Sequence, residues 1–360
     1  MLHSYLALTA CLWMIALWLT LRGERAYQNL PELKLSPETN IMPSLLIIVP
    51  ARNEELNLPR LLDSLNTQTY IGNQEIIVVD DQSTDGTARQ AELHRARVLG
   101  LKHLPAGWLG KPYACQRGAE YGKGDWLLFV DADTAYSPQA ITSVMSYAIQ
   151  NQLDGLSLFL SQKTHNILDA LAIATAFTAF FAGTDQPRGI LNGQFILLKR
   201  AVFESIRGFE SVRQEPLEDV ALGQHLLKNG FDVPILRGEN IGSVQMYPSM
   251  RQMWHGLSRL GSGVLTHGKW NSLIIVFVIA QMTSAIILLA AASYAHGIFP
   301  LLIVSWLISS LVLLPWAKRV GRPSIAPLAP FGSLLIILAS ISGLGQRLLG
   351  YGMNWKGRQV

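Results

Sequence analysis

Hydrophobic positions along the chain follow two regimes. Four windows are almost wholly apolar: His3 to Leu21, then roughly Leu273 to Ala292, Ile298 to Trp316 and Ile325 to Leu344. Each reaches about 20 residues, which at about 1.5 Å of rise per residue spans a hydrocarbon core about 30 Å thick. Between Pro43 and about Gly242 the pattern instead alternates short apolar runs with amphipathic stretches, which predicts an α/β layered sheet. Leu45 to Pro50 is a continuous apolar run, as expected of a strand buried on both faces. Leu58, Leu61, Leu62 and Leu65 then fall at helical spacing. Ile76 to Val79 and Trp126 to Val130 read as two further buried strands, ending in Asp80-Asp81 and Asp131-Ala132-Asp133. Ser137-Pro138 reads as a cap and first turn, followed by an apolar helix face of Ile141, Val144, Met145, Ala148 and Ile149. Glu218-Asp219 opens an amphipathic helix that stops at Gly230.

Charge placement orients these elements. The first window lacks a basic leader and a small-residue cleavage site, so it reads as an anchor rather than a signal peptide. Arg22, Arg25 and Lys34 follow it, His267 and Lys269 precede the second window, and Lys318, Arg319 and Arg322 lie between the third and fourth. The positive-inside rule then places residues 22–271 and 317–323 in the cytoplasm. Four simple crossings would leave the basic tail, with Arg347, Lys356 and Arg358, outside. Either that tail is an exception, or the last window is a re-entrant hairpin broken by Pro327, Pro330 and Gly332. The predicted organisation is an anchor (1–22), a catalytic α/β domain (43–245), an amphipathic interface segment (246–271), transmembrane helices (272–349) and a basic tail (350–360).

Only 15% of residues are charged and the formal net charge is +4. That suits an anionic membrane surface, and no basic run with interleaved aromatics points to nucleic acid. Two cysteines, Cys11 and Cys115, give neither a disulfide framework nor a zinc pattern. Nothing in the sequence sets an oligomeric state.

Carboxylates just beyond the C-terminal ends of buried strands lie where open α/β sheets bind ligands. The stretch Asp80 to Thr87 can contact a base or ribose, or can serve as turn and cap alone. Asp131 and Asp133 would face one ligand if the segment is extended, and with substrate phosphates could hold Mg²⁺ or Mn²⁺. Lys111, within Gly107-Trp108-Leu109-Gly110-Lys111-Pro112, could neutralise a diphosphate or be an exposed turn lysine. A carboxylate of Glu218-Asp219 could act as a general base or merely cap its helix. Ile167 to Gly183 is apolar enough to imitate a crossing, but crossing there would part Asp133 from Asp219. It is therefore expected in the membrane interface or beneath an acceptor site. Trp254, His255, Arg259, His267 and Trp270 suit interface anchors, with an acceptor role open for Trp254, Arg259 and Glu218.

Taken together, Val49 to Glu55, Val79 to Thr87, Asp131-Ala132-Asp133 and Glu218-Asp219 resemble, in order, the motifs of inverting family 2 glycosyltransferases with a GT-A fold. Gly107 to Lys111 with Ala114-Cys115, Ala221-Leu222-Gly223 and Trp355 to Gln359 are similar to the membrane members of carotenoid and hopanoid biosynthesis. The likeness to ceramide glucosyltransferase is more distant. The resemblance implies nucleotide contacts at Pro50, Ala51, Asn53, Glu55 and Asp81, Asp131 on the donor, Asp133 as the metal carboxylate and Asp219 as catalytic base. It also implies a bacterial inner-membrane enzyme with a cytoplasmic catalytic domain, a nucleotide-diphosphate sugar donor such as UDP-glucose, and a lipid acceptor of carotenoid, hopanoid or sphingolipid kind. The QxxRW motif of processive synthases is absent; the segment reads Arg251 to Gly256. A polyprenyl-phosphate acceptor and a catalytically silent sugar-nucleotide-binding module are the rival expectations.

Overall fold

The computed structural model describes residues 2–35, 42–184, 188–215, 217–247, 249–266, 270–292, 299–349, 354–355 and 358–359. His267, Lys269 and most of the basic tail lie outside the described residues. The chain divides into an α/β unit (residues 30–161 and 187–245) and a helical unit (residues 1–29, 162–186 and 246–360). In chain order the elements are α1 (Leu2–Gln28), β1 (Leu45–Ala51), α2 (Leu58–Asn66), β2 (Gln74–Asp80), α3 (Thr87–Leu93), β3 (Arg97–Gly100), α4 (Gly110–Tyr121), β4 (Trp126–Val130), β5 (Thr134–Tyr136), α5 (Ala140–Gln150), β6 (Gly155–Gln162) and α6 (Ile167–Ala182). They continue with β7 (Phe195–Lys199), α7 (Arg200–Ser205), α8 (Glu218–Lys228), β8 (Ile235–Val244), α9 (Met250–Thr266), α10 (Trp270–Ala292), α11 (Phe299–Arg319) and α12 (Ala329–Leu348).

The α/β unit is built on one mixed sheet of order β3-β2-β1-β4-β7-β6-β8-β5. β1 pairs in parallel with β2 and β4, whereas β7 is antiparallel to both β4 and β6. Leu45 to Val49 are completely buried, as a parallel central strand requires. Each such Leu, Ile or Val contributes roughly 1.5–3 kcal/mol by leaving water, which fixes β1 as the sheet's axis. On one face Leu46, Ile48, Ile77 and Val79 pack with Ala114, Cys115, Ala119, Phe203 and Phe209. Helix α4 sits close to this face because residue 118 is glycine; a Cβ there would lie 2.5 Å from Ile48 Cγ2. The predicted apolar face of α2, Leu58, Leu61, Leu62 and Leu65, is buried as expected.

One predicted boundary fails. Helix α5 begins at Ala140, with Gln139 as its cap, not at Ser137-Pro138. β5 pairs with β8, and Ser137 extends that edge: its N–H and hydroxyl both donate to Ile241 O, at 2.9 and 3.1 Å. Its side chain is therefore spent on the sheet and is lost to the helix as a cap.

In the helical unit, Ser272–Leu289, Phe299–Arg319 and Pro323–Gln346 are long and apolar enough to cross a membrane. The first predicted window lies within the 27-residue α1. Helices α10 and α11 are joined by Ser309 Oγ donating to Met282 O at 3.4 Å. Near the end of α1, Glu24 takes both terminal nitrogens of Arg319 at 2.5 and 2.6 Å, and Arg319 stacks over Tyr27 and Trp316. Both ends of the 16-residue α6 meet this same basic level. Arg22 donates to Ala182 O at 3.4 Å, and Arg322 to Thr164 Oγ1 and His165 O at 3.3 and 3.4 Å. A helix with both ends at one level runs along that level. Pro327 falls in a 3₁₀ turn (Pro323–Leu328) and Pro330 in the first turn of α12, where a missing N–H costs nothing.

Candidate active site

Two loops at the C-terminal edge of the sheet are stitched to each other. Arg52, on the loop after β1, donates to the carbonyls of Asp81 and Gln82 after β2. Asn53 accepts from Thr84 N at 2.8 Å while its own N–H donates to Ser83 Oγ at 3.0 Å. Glu55 accepts from Gly86 N at 3.0 Å, and Asp85 caps the turn by accepting from Thr87 N at 3.0 Å. The Asn53 and Glu55 side chains thus hold the edge's shape. Asp81 is buried, its N–H on Ala51 O at 2.8 Å, and Pro50 opens onto the pocket described next.

That pocket is lined by Pro50, Lys111, Asp131, Gly193, Glu218 and Asp219 among others. Lys111, in the first turn of α4, is no exposed turn lysine. Its Nζ lies 2.7 Å from Asp131 Oδ1 and 2.9 Å from Glu218 Oε1. Burial opposes its charge, but Asp131, Glu218 and Asp219 outweigh that and hold its pKa well above the usual value. Neighbouring Cys115 is buried, and burial pushes its thiol pKa up, so it is no nucleophile.

Glu218 and Asp219 open α8, as predicted, but neither caps it; the cap position is Leu217, with no side-chain capping bond. Asp219 instead accepts from Gly193 N through Oδ2 and from Val220 N through Oδ1, both at 2.8 Å. Its pKa is pushed up to about 6, first by burial and then by Glu218, while Lys111 and the two amides pull it down. Burial wins, giving a carboxylate that is still ionised at neutral pH and more basic than an exposed one.

Asp131 and Asp133 are brought together differently from the expectation. Residues 131–133 form a turn, closed by Thr134 N donating to Asp131 O at 3.2 Å, so strand alternation does not align their side chains. Asp131 faces Lys111; the Asp133 carbonyl accepts from Arg60 and from Gln245 N. Asp133 Oδ1 is buried with no partner among the described residues. Its pKa rises to about 7, from burial first and Asp131 second, against Lys111 and Arg60. A buried carboxylate oxygen without a donor fits a hard divalent cation, which would satisfy it and restore its charge. No cluster of three or more ligating side chains exists among the described residues. Such an ion would therefore take its other ligands from substrate phosphates or water.

Sequence reasoning missed Arg52, Arg60 and Gly193. The first two act on backbone carbonyls, and Gly193 contributes only its amide, so no side-chain motif announces them. Trp254 and Arg259 lie on α9 in the helical unit, where Trp254 packs against the cluster of Ala172, Met253, Leu257 and Ala339.

Comparison with known proteins agrees with this geometry. Residues 46–168 match the family described as Glycosyl transferase family 2. The chain is similar to proteins named 4,4'-diaponeurosporenoate glycosyltransferase. That of Staphylococcus haemolyticus is 28% identical over 256 residues, covering 67% of this chain and 68% of the relative. That of Staphylococcus aureus is 26% identical over 335 residues and 88% of both chains. Among solved structures, a mannosyltransferase from Pyrobaculum calidifontis in complex with GDP-Man and Mn²⁺ superposes with a TM-score of 0.58 at 18% identity, covering 94% of this chain and 97% of the other. Residues 46–168 thus match glycosyl transferase family 2, and the α/β unit has a GT-A-like fold.

Proposed function

We propose that this glycosyltransferase is inverting and moves a hexose from a nucleotide-diphosphate sugar, UDP-glucose being the first donor to test, onto a lipid acceptor at the membrane surface. The observation that carries the reading is the convergence of Lys111, Asp131 and a half-buried Asp219 of raised pKa on one pocket at the sheet's C-terminal edge. One lysine there faces the carboxylates of Asp131, Glu218 and Asp219, with Asp133 nearby. A diphosphate could not approach so negative a site unaided. When bound at Asp133, Mg²⁺ or Mn²⁺ would supply the positive charge that holds the diphosphate and stabilises it as leaving group. The stitched loops after β1 and β2, with Pro50, Ala51 and Asp81, form the wall for the nucleoside. Lys111 and Asp131 orient the donor's phosphate end. Asp219 removes the proton of an acceptor hydroxyl as it attacks the anomeric carbon, and a single displacement inverts that centre.

The relatives' names support an apolar carboxylate-bearing acceptor, and the apolar helices suit delivery of such a lipid from a bilayer. The test is purified protein in lipid nanodiscs, given UDP-glucose, UDP-GlcNAc or GDP-mannose with Mg²⁺ or Mn²⁺ and a panel of acceptors. Hydroxylated and carboxylated carotenoids, hopanoids, a sphingoid lipid and undecaprenyl phosphate make up that panel. Mass spectrometry should find a hexosylated lipid, and NMR of that product an anomeric configuration inverted from the donor's. Labelling of undecaprenyl phosphate alone would replace the acceptor assignment. Donor binding with no transfer or hydrolysis would make the chain a binding module.

A further inference from the structure

The turn at residues 192–194 has no ionisable side chain, yet it borders Lys111, Asp131 and Asp219 in the pocket. A Cβ built on Gly193 would lie 2.8 Å from Lys111 Nζ, 3.3 Å from Asp219 Oδ2 and 3.6 Å from Asp131 Oδ2, so only glycine leaves that cluster intact. The turn is anchored from behind. Ser157 Oγ, fully buried on β6, accepts from Asn192 N at 2.8 Å and donates to Phe195 O at 2.9 Å. Tyr136 OH, on β5, donates to Gln194 O at 2.8 Å, and Asn192 Oδ1 accepts from Gln194 N at 3.2 Å. We propose that residues 192–194 are a clamp for the catalytic base, in which Ser157 and Tyr136 fix the turn and the Gly193 amide fixes the Asp219 carboxylate. With one amide on each oxygen, the carboxylate cannot rotate, and each oxygen keeps a lone pair for a proton.

This rests on Asp219 being the base. Ser157→Ala and Tyr136→Phe each remove one anchor without touching the groups that face Asp219, namely Lys111 and Cys115 on α4, Asp131 after β4 and Glu218 on α8. Each should lower kcat roughly 10- to 100-fold, the scale on which misplacement acts, with donor KM within about twofold. Each should also move the acid limb of the pH–rate profile upward, since a slackened amide bond no longer favours the ionised carboxylate. A merely structural defect would lower yield and leave the limb in place. If one variant fails to accumulate, the other carries the test. Turnover retained in Asp219→Asn overturns the base reading itself. An inactive Asp219→Asn beside wild-type kcat and limb in the anchor variants overturns the clamp alone.

A second inference comes from the helical unit by itself. The 3₁₀ turn after α11 brings Pro327 O to Trp306 Nε1 at 2.8 Å, and Phe331 packs on the Trp306 ring. Trp306 precedes the end of α11 by 13 residues, about 20 Å along the helix. Ser333, early in α12, bonds Thr283 Oγ1 at 3.0 Å, and Thr283 lies 13 residues into α10, again about 20 Å from that helix's start. Later in α12, Ala339 packs with Met253 and Leu257, and Gly343 lies against the Ser258 backbone, both on α9, which precedes the start of α10. The segment therefore descends from the Arg319 end of α11 and returns towards the start of α10. We infer that α12 is the ascending limb of a re-entrant hairpin, and that Leu349 emerges on the same side as Lys318 and Arg322. This accounts for the basic tail without an exception to the positive-inside rule.

Single cysteines at exposed Lys318, Leu349 and Phe299, in a Cys11→Ala background, decide it. An impermeant thiol reagent should label Phe299→Cys in intact cells, and Lys318→Cys and Leu349→Cys only in inside-out vesicles. Leu349→Cys labelled together with Phe299→Cys would overturn the hairpin. Lys318→Cys and Phe299→Cys labelled from one side would overturn the crossing by α11 and the hairpin with it.

Discussion

Replacing Lys111 by Met removes one charge and keeps most of the side chain's volume. The ammonium stands 2.7 Å from Asp131 and 2.9 Å from Glu218, and the three side chains are 22%, 27% and 10% exposed. At an effective dielectric constant of about 20, each contact is worth roughly 6 kcal/mol before desolvation is counted. Breaking a buried pair by removing one partner costs about 3–5 kcal/mol. Partial exposure discounts that figure, so Lys111→Met should lose roughly 2–4 kcal/mol at neutral pH. The loss is specific in its pH dependence. Lys111 pulls the pKa of Asp219 and Asp133 down, so without the ammonium both rise further; the penalty is full above those raised values and fades as pH falls towards the unfolded value of about 4. Thermal unfolding of purified wild type and variant in nanodiscs, followed by tryptophan fluorescence, should show a Tm gap at pH 7.5 that shrinks at pH 5.5. No gap, or a gap equal at both pH values, would refute the view that Lys111 is the counter-charge of this pocket.

Other consequences are as direct. Asp133→Asn should abolish the metal dependence of donor binding while the protein still folds; calorimetry with and without EDTA reads this, and an unchanged EDTA effect removes Asp133 from the metal. Wild-type transfer to a hydroxyl acceptor should fall as pH drops through about 6, because Asp219 protonates there; a profile flat down to pH 5 contradicts the assignment. Glu55→Ala frees Gly86 N and slackens the stitched loops, which should raise donor KM several-fold, about 1 kcal/mol, with kcat nearly unchanged.

The half of the sheet around β1, β2 and β4 is legible in the sequence because strands buried on both faces are continuous apolar runs. The antiparallel half is less so. β6 carries its alternation of Leu156, Leu158 and Leu160 with Ser157 and Ser161 beside the long apolar run of α6, which dominates the local pattern. Asp81, Asp131, Asp133 and Asp219 stand out because each sits at a strand end or a helix start. What the sequence withholds is pairing between distant segments. Lys111 is visible as a lysine in a turn, but its partner Glu218 is found only when α4 and α8 meet. Gly193 is invisible for a deeper reason, since its contribution is a backbone amide that any residue possesses, in a place where a Cβ would displace Lys111. The raised pKa values of Asp133 and Asp219 likewise follow from burial, which composition cannot show.

The central claim is that Asp219, held by the Gly193 amide, is the base of a glycosyl transfer. Asp219→Asn keeps the shape and can still accept that amide, but loses the charge. Donor affinity and single-turnover transfer to a hydroxyl-bearing lipid, measured on the same preparation of this variant and of wild type, put the claim to its most direct test. Donor affinity within about twofold of wild type with transfer reduced roughly 10²–10⁴-fold is the predicted result. Transfer near the wild-type rate would contradict it.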